Sequence, residues 1–455
     1  MVRFNFTLFL VLIFFSCGSD DGPGYQEPYI PGTNEPTIDP LTDSEMMDLT
    51  QKETFKYFWD FANSSSGAAK ERYHPSNPTL NQNVVTTGGT GFGLMAILVG
   101  IERGYVTRSE GYTRLNKILT FFENADRFHG AWPHWIDGGT GHVIPFSTKD
   151  NGGDLVETAF LAQGLICVKE YFKNGSTEEK TLSNLADTLW KGVEWNWYTQ
   201  NQNALYWHWS PSYGFEINMK LSGYNETMVA YVLAAATPDY TIIKKVYEEG
   251  WANNGAIVSS SSQNGIPLVL NHAGGSNFGG PLFFSHYSFL GLNPKNLTDQ
   301  YANYWNLVVN HTKINRQYCI SNPNKYIDYG ADCWGLTASY SRNSDGSIGY
   351  SAHSPSNDLG VISPTAAISS IAYTPSESLS AMHFFYQKKS KLLGVAGFYD
   401  AFSPQYNYWV ADAYLAIDQG PEIIMIENYR TGLLWNLFMQ NADVKLGLDK
   451  LGFNY

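Results

Sequence analysis

From Leu41 onward the chain runs as a succession of amphipathic stretches of helical length, separated by loops rich in Gly, Asn and Pro. Few stretches show the strict alternation of a half-buried strand. Helices are expected near 43–62, 89–104, 108–125, 154–173, 179–199, 224–236, 240–252, 281–290, 296–315, 332–340, 375–390 and 420–440. The pair 89–104 and 108–125 sets the pattern: Gly104-Tyr105-Val106-Thr107 stops the first helix, and Thr107 or Ser109 can cap the second. Helical hairpins repeated through one large domain, 42–455, point to an all-α toroid.

The connections 126–153, 201–223, 253–280 and 341–374 are long for a compact domain, and loops of that length are usually functional. Their tryptophans cluster, in Trp132-Pro133-His134-Trp135 and in Trp207-His208-Trp209. Aromatic residues make up 15% of the chain. Flat aromatic faces near the surface can stack on sugar rings, whereas any single one is more often ordinary core. The two clusters are therefore candidate ligand-stacking groups.

A net charge of -13 with no basic cluster excludes nucleic acid, whose phosphates need Lys and Arg. At the amino terminus, Arg3, an apolar run and Ser16 precede Cys17, the arrangement of a lipoprotein signal. Residues 1–16 would be removed and Cys17 lipidated, because the run is shorter than the ~20 residues a bilayer-spanning helix needs. Residues 18–41 then form a proline-rich, polar tether, and the membrane is met through the lipid anchor only. Of the remaining cysteines, Cys319 and Cys333 could pair in an oxidising compartment, and Cys167 reads as a buried small hydrophobe. No CxxC or HExxH spacing occurs, so neither a metal nor another cofactor is expected. There is no GxSxG elbow. The run Gly-Gly-Thr-Gly-Phe-Gly at 88–93 lacks the Lys-Ser/Thr of a phosphate loop, and is expected to permit close helix packing or backbone access to a cleft.

Three carboxylates, Asp150, Asp154 and Glu157, follow one another at spacings that a helix start would gather on one face. Such crowding raises one pKa and leaves a neighbour ionised, as an acid and base pair requires. Asp154 with Glu157 is also a plain capping-box spacing. Glu226, directly before the apolar run 228–233, could be an acid facing a cleft or could compensate a helix dipole. Asp418 precedes Gln-Gly-Pro and a helical stretch, and should stand on a loop at one rim. Arg430 lies three residues after Glu427, the spacing of a surface ion pair.

Asp150-x3-Asp154-x2-Glu157, Tyr-Asn-Glu at 224–226, Gly-Phe-Tyr-Asp-Ala-Phe at 397–402 and Asp-Gln-Gly-Pro at 418–421 occur in that order. Together they resemble the bacterial glucoamylase-like proteins of glycoside hydrolase family 144, over about residues 45–450. The resemblance implies an (α/α)6 barrel with a cleft at one rim and hydrolysis of β-1,2-glucan, by endo action or by release of sophorose. It matches the family's carboxylates to Asp150, Asp154, Glu157, Glu226 and Asp418. Glu226 is the expected proton donor and Asp418 the base that activates water, with Asp154 competing for that role. The family is similar to inverting enzymes, whose acid and base stand ~6.5–9.5 Å apart. Asp150 and Glu157 would tune pKa values or bind hydroxyls. Trp132, His134, Trp135, Trp207, His208, Trp209, Tyr224, Tyr399, Asp400 and Arg430 would line subsites. An α-glucan exo-hydrolase and a non-catalytic glycan-binding lipoprotein are the alternatives; retention of all five carboxylates favours an enzyme. Ser19-Asp20-Asp21 also resembles the acidic export signal of surface lipoproteins in the Bacteroidetes, which favours an outer-membrane anchor exposed at the cell surface over one facing the periplasm.

Overall fold

Thr42, Thr107 and Ser176 each close a capping box with a glutamate three residues on, and each starts an amphipathic helix: α1 (Asp43–Trp59), α3 (Arg108–Asn124) and α5 (Thr177–Lys191). Between them in sequence lie helices of another kind. In α2 (Thr87–Glu102) and α4 (Leu155–Phe172) nearly every residue is buried, so these two are covered on all sides. The computed structural model describes residues 41–455 except Ser276. The expected signal, Cys17 and all but the last residue of the expected tether lie outside the described residues.

The helical series continues with α6 (Met228–Ala236), the short α7 (Lys244–Val246), α8 (Tyr304–Ser321), α9 (Pro364–Ser369), α10 (Pro375–Gln387), α11 (Lys389–Leu392), α12 (Ala416–Arg430), α13 (Leu433–Gln440) and α14 (Ala442–Leu451). The result is a helix-rich fold with short two- and three-stranded ladders inserted between helices.

Several expected helices differ, each for a local reason. The segment 281–290 forms two 3-10 turns, Leu282–Ser285 and Tyr287–Phe289, and 240–252 ends in a π turn. The helix expected at 296–315 starts only at Tyr304, where Asn303 caps it. The stretch at 420–440 begins earlier and breaks at Gly432, whose φ of 73° no helix continues through. No helix forms at 332–340. Ala338–Arg342 instead pairs with Ile348–Ala352, and Val258–Gln263 with Ile266–Leu270, so two of the long loops are hairpins. Helices α9, α11 and α14 were not expected. Cys167, Cys319 and Cys333 are all buried and free, so the pairing considered for the last two is not formed.

Helix α2 sits between α4 and α12 at backbone contact. A methyl on Gly91 would stand 2.2 Å from the Phe160 carbonyl oxygen, and one on Gly164 would stand 2.3 Å from that of Gly91. Toward α12, a methyl on Gly89 would meet the Ala416 Cβ at 2.5 Å, and one on Gly420 would meet the Phe92 Cβ at the same distance. Of the two uses expected for the glycine run, this is the first: no side chain fits between these helices. Gly91→Ala is therefore expected to lower stability by about 3 kcal/mol, the upper end of the usual range for overpacking, because the obstacle is backbone and cannot rotate away. Chemical denaturation of the variant beside the wild type measures it.

Candidate active site

The starts of α4, α6 and α12 each bring a carboxylate to the site. Asp154 caps α4: its Oδ1 accepts from the Val156 and Glu157 N–H groups at 3.0 and 2.9 Å. Its Oδ2 faces His134 Nδ1 at 3.0 Å and His208 Nε2 at 3.6 Å. His208 Nε2 also lies 3.2 Å from Asp150 Oδ2. One turn into α4, Glu157 accepts from the Gly88 N–H at 2.8 Å and from the Thr86 hydroxyl at 3.1 Å, which joins α4 to the start of α2. Asp150, Asp154 and Glu157 do share one place, as their spacing suggested.

Their protonation states separate. Burial pushes Asp154 up, but hydrogen bonds from His134 and His208 overcome it and hold this carboxylate well below its ordinary range. Burial pulls both histidines down, yet the carboxylates around them raise His134 to about 10 and His208 to about 9. Glu157 is raised, first by burial. His134, Asp150 and Asp154 offer ligand atoms within 4.8 Å of one another, a spacing that could hold a cation. At neutral pH the two histidinium rings already supply positive charge there.

Glu226 stands two residues before α6, where the Asn225 side chain accepts from the Thr227 N–H and hydroxyl and Ser288 donates to the Glu226 carbonyl. Its Oε2 is buried with no partner among the described residues. Burial, with the nearby charges of Glu157 and Asp154, raises this carboxyl to about 7. It is a weak acid, half protonated near neutrality.

Asp418 lies on the first turn of α12, rather than on a loop, and faces Asp400. Asp400 Oδ2 accepts from the Tyr340 N–H at 2.7 Å. Asp400 Oδ1 and Asp418 Oδ2 are each buried without a donor among the described residues, and the two carboxyls face each other closely enough to share one proton. Burial and the charge of Asp400 push Asp418 well above the carboxylate range; burial raises Asp400 to about 6. One turn further along, Glu422 is raised by burial to about 8. Tyr287 joins the halves of the site. Its buried hydroxyl, also unpartnered among the described residues, feels Asp418, Glu226 and Glu157.

Four expected subsite residues are placed elsewhere, among them Trp209, which packs with Phe128, His129 and Trp197. Trp132 is fully buried; its indole N–H donates to the Phe122 carbonyl at 2.9 Å and the Arg127 guanidinium covers its ring. Tyr224 is also fully buried, with its hydroxyl 3.1 Å from Ser285 Oγ, so it supports Glu226 from behind. Arg430 lies twelve residues along α12 from Asp418, about 18 Å at the helical rise. There it binds Asp48 and Gln51 of α1, while Glu427 pairs with Arg103 and not with Arg430. His134 stacks on Phe146 at 4.2 Å beside Trp135, and Trp207 lies nearly parallel to His208. Tyr399 stacks on Tyr414 at 4.9 Å. Tyr287, Tyr340 and Glu422 were missed. Tyr287 gave no sequence signal, since it lies in an apolar run that reads as core.

Residues 218–442 match a family described as putative glucoamylase. The chain is 44% identical over 434 residues to a Parabacteroides distasonis exo β-1,2-glucooligosaccharide sophorohydrolase (non-reducing end), covering 91% of this chain and 59% of that one. An endo-β-1,2-glucanase from Chitinophaga pinensis, solved with sophorotriose and glucose, is 54% identical with a TM-score of 0.88, over 91% of this chain and 99% of that one. A putative glucoamylase from Bacteroides fragilis is 56% identical with a TM-score of 0.88, over 92% and 99%. A half-protonated buried carboxyl and a second carboxylate on separate elements of one site are what glycoside hydrolases use. The chain belongs to the glucoamylase-like proteins of glycoside hydrolase family 144.

The shared proton of Asp400 and Asp418 has a measurable consequence. A buried carboxyl whose folded pKa is raised binds more protons folded than unfolded, so it loses stability as pH rises through that pKa. Asp400→Asn keeps the acceptor for Tyr340 but removes one of the two charges. Its melting temperature relative to wild type is expected to increase from pH 4 to the Asp400 value of about 6 and to level off above it. A flat difference across that range counts against the shared proton.

Proposed function

We propose that this chain hydrolyses β-1,2-glucan, by cutting within chains or by releasing sophorose, with inversion at the anomeric carbon. The observation that carries the reading is the buried carboxyl of Glu226, whose Oε2 has no partner among the described residues, raised to about 7 in a site shared with carboxylates on other elements. Glu226 protonates the leaving glycosidic oxygen. The Asp418–Asp400 pair shares one proton and so carries one negative charge; with that proton held on Asp400, Asp418 is the carboxylate that takes the proton from the attacking water. Asp154 stays ionised between His134 and His208 and keeps Glu226 from ionising early, through the repulsion that raises its pKa. Two relatives, named for sophorose release from β-1,2-glucooligosaccharides and for endo action on β-1,2-glucan, support this linkage. The arrangement of helices is read as an (α/α)6 barrel, with 42–455 as a single catalytic domain.

Incubation with linear β-1,2-glucan and with starch, followed by sizing of products, tests the substrate: β-1,2-glucan should be shortened and starch untouched. Activity on starch alone overturns the linkage, and binding without products overturns the enzyme. Glu226→Gln should lower kcat by roughly 10²–10⁴-fold, the usual contribution of a general acid. Because the acid must be protonated, kcat/KM should fall as pH rises above about 7. An unchanged alkaline limb in a slower Glu226→Gln enzyme removes Glu226 from that role.

We further propose that Cys17 carries lipid and holds the enzyme at the outer face of the cell envelope, where a polymer too large to enter the cell is met. External protease should remove the enzyme from intact cells, and Cys17→Ala should release it from membranes. Protection from protease would place it on the inner side.

A further inference from the structure

The short ladder that carries Asp154 has two faces. Gly153 pairs with Trp209 and Asp154 with His208, and successive residues of a strand point to opposite sides. His208 meets Asp150 and Asp154. Trp209 turns the other way, toward Phe128, His129 and Trp197. Expected at the cleft, it belongs instead to a separate aromatic corner behind the catalytic carboxylates.

That corner is open and held in shape. Trp197, on the 3-10 turn Trp197–Thr199, is 42% exposed. Its ring lies flat on His129, with centroids 3.7 Å apart and planes 13° from parallel. Trp209 stands edge-on to both, 4.7 Å from His129 and 6.3 Å from Trp197. His129 has a φ of 49°, a left-handed conformation that non-glycine residues seldom adopt. It is fixed there by a ring N–H that donates to the Glu194 carboxylate at 3.0 Å and by a carbonyl that accepts from the Glu194 N–H at 3.1 Å. Backbone strain of this kind gathers at functional sites and points to a use. The Glu194 side chain is itself 36% exposed beside the rings.

An exposed indole made rigid, a second indole at right angles and a carboxylate at the rim suit one chemistry. In β-glucopyranose the ring C–H bonds are axial, so each face of the sugar offers weakly positive hydrogens to the negative face of an aromatic ring. Its equatorial hydroxyls spread outward, where a carboxylate can accept from them. We propose that Trp197, Trp209 and Glu194 form a second, non-catalytic carbohydrate platform that takes a glucose unit of a long glucan chain outside the catalytic cleft. The choice of glucan rests on the function proposed above. The platform would hold polymer near the cleft, without touching the bond being cut.

Trp197→Ala tests this, with Trp197→Tyr as the conservative variant and an unchanged melting temperature as the check on folding. On linear β-1,2-glucan polymer, Trp197→Ala should raise KM about three- to tenfold, the loss expected for one aromatic stacking contact. On a short oligosaccharide such as sophorotetraose, kcat and KM should be unchanged, and Trp197→Tyr should restore most of the polymer affinity. Equal losses on both substrates would place Trp197 in the cleft, and an unchanged polymer KM would remove the platform; either overturns the proposal. Native electrophoresis through gels containing β-1,2-glucan or starch judges binding separately from catalysis, using the Glu226→Gln background. If the wild type degrades no β-1,2-glucan, the functional reading fails. The platform still stands if either polymer retards Glu226→Gln and adding Trp197→Ala weakens that retardation, and falls if it does not.

Discussion

The glycine contacts of α2 are the constraint on which the site depends. Because Gly91 meets the backbone of α4 and Gly89 the start of α12, three buried helices lie closer than any side chain between them would allow. That closeness brings the first turns of α4 and α12, and so Glu157 and Asp418, toward one place. The Gly88 N–H is left pointing at Glu157, where it serves as a donor to the carboxylate and not only as a packing surface. A helix start favours a negative charge and burial opposes it, so each carboxyl sits in a balance that its neighbours can tip.

Those neighbours tip it in opposite directions. Asp154 has two histidines and two backbone N–H groups on its oxygens and stays charged although fully buried. Asp418 meets another carboxyl and retains a proton between the two. Glu226 meets neither a cation nor a donor at Oε2 among the described residues, and burial is left to dominate. One fold therefore holds an ionised carboxylate, a proton-sharing pair and a weak acid.

What could be read from the sequence follows the range of the physics involved. The spacing of Asp150, Asp154 and Glu157 is local, and they do come together, but only Asp154 and Glu157 belong to the helix start; Asp150, in the preceding loop, is joined through His208. The glycine run was readable only as far as two uses, close helix packing or backbone access to a cleft, and the contacts with α4 and α12 decide for packing. The roles of Trp132 and Arg430 were misplaced because loop membership and motif proximity say nothing of direction: one indole turns into the core, and the guanidinium sits at the far end of its helix. Tyr287 and the Asp400–Asp418 pairing depend on contacts between distant segments. The helix expected at 332–340 failed for a related reason, since pairing with Ile348–Ala352 outweighed local preference.

The histidines show how far the partner, and not the residue type, decides the chemistry. His134 and His208 face carboxylates and are held protonated. His272, His286 and His311 are also buried, but they face the Gly279 carbonyl, the Ser370 hydroxyl, the Ser285 hydroxyl and the Gly280 carbonyl. With no anion to compensate burial they are held neutral, His311 at about 4 and His286 at about 3. This neutral group lies behind Glu226: His272 packs on Tyr224, and the Tyr224 hydroxyl reaches Ser285, which bonds His311. A protonated imidazole in that layer would pull the Glu226 carboxyl down toward its ordinary range and remove its proton at neutral pH. Two charged histidines thus hold Asp154 ionised, while Glu226, backed by neutral ones, is left to burial and the charges of Glu157 and Asp154, as an acid and a standing negative charge in one site require.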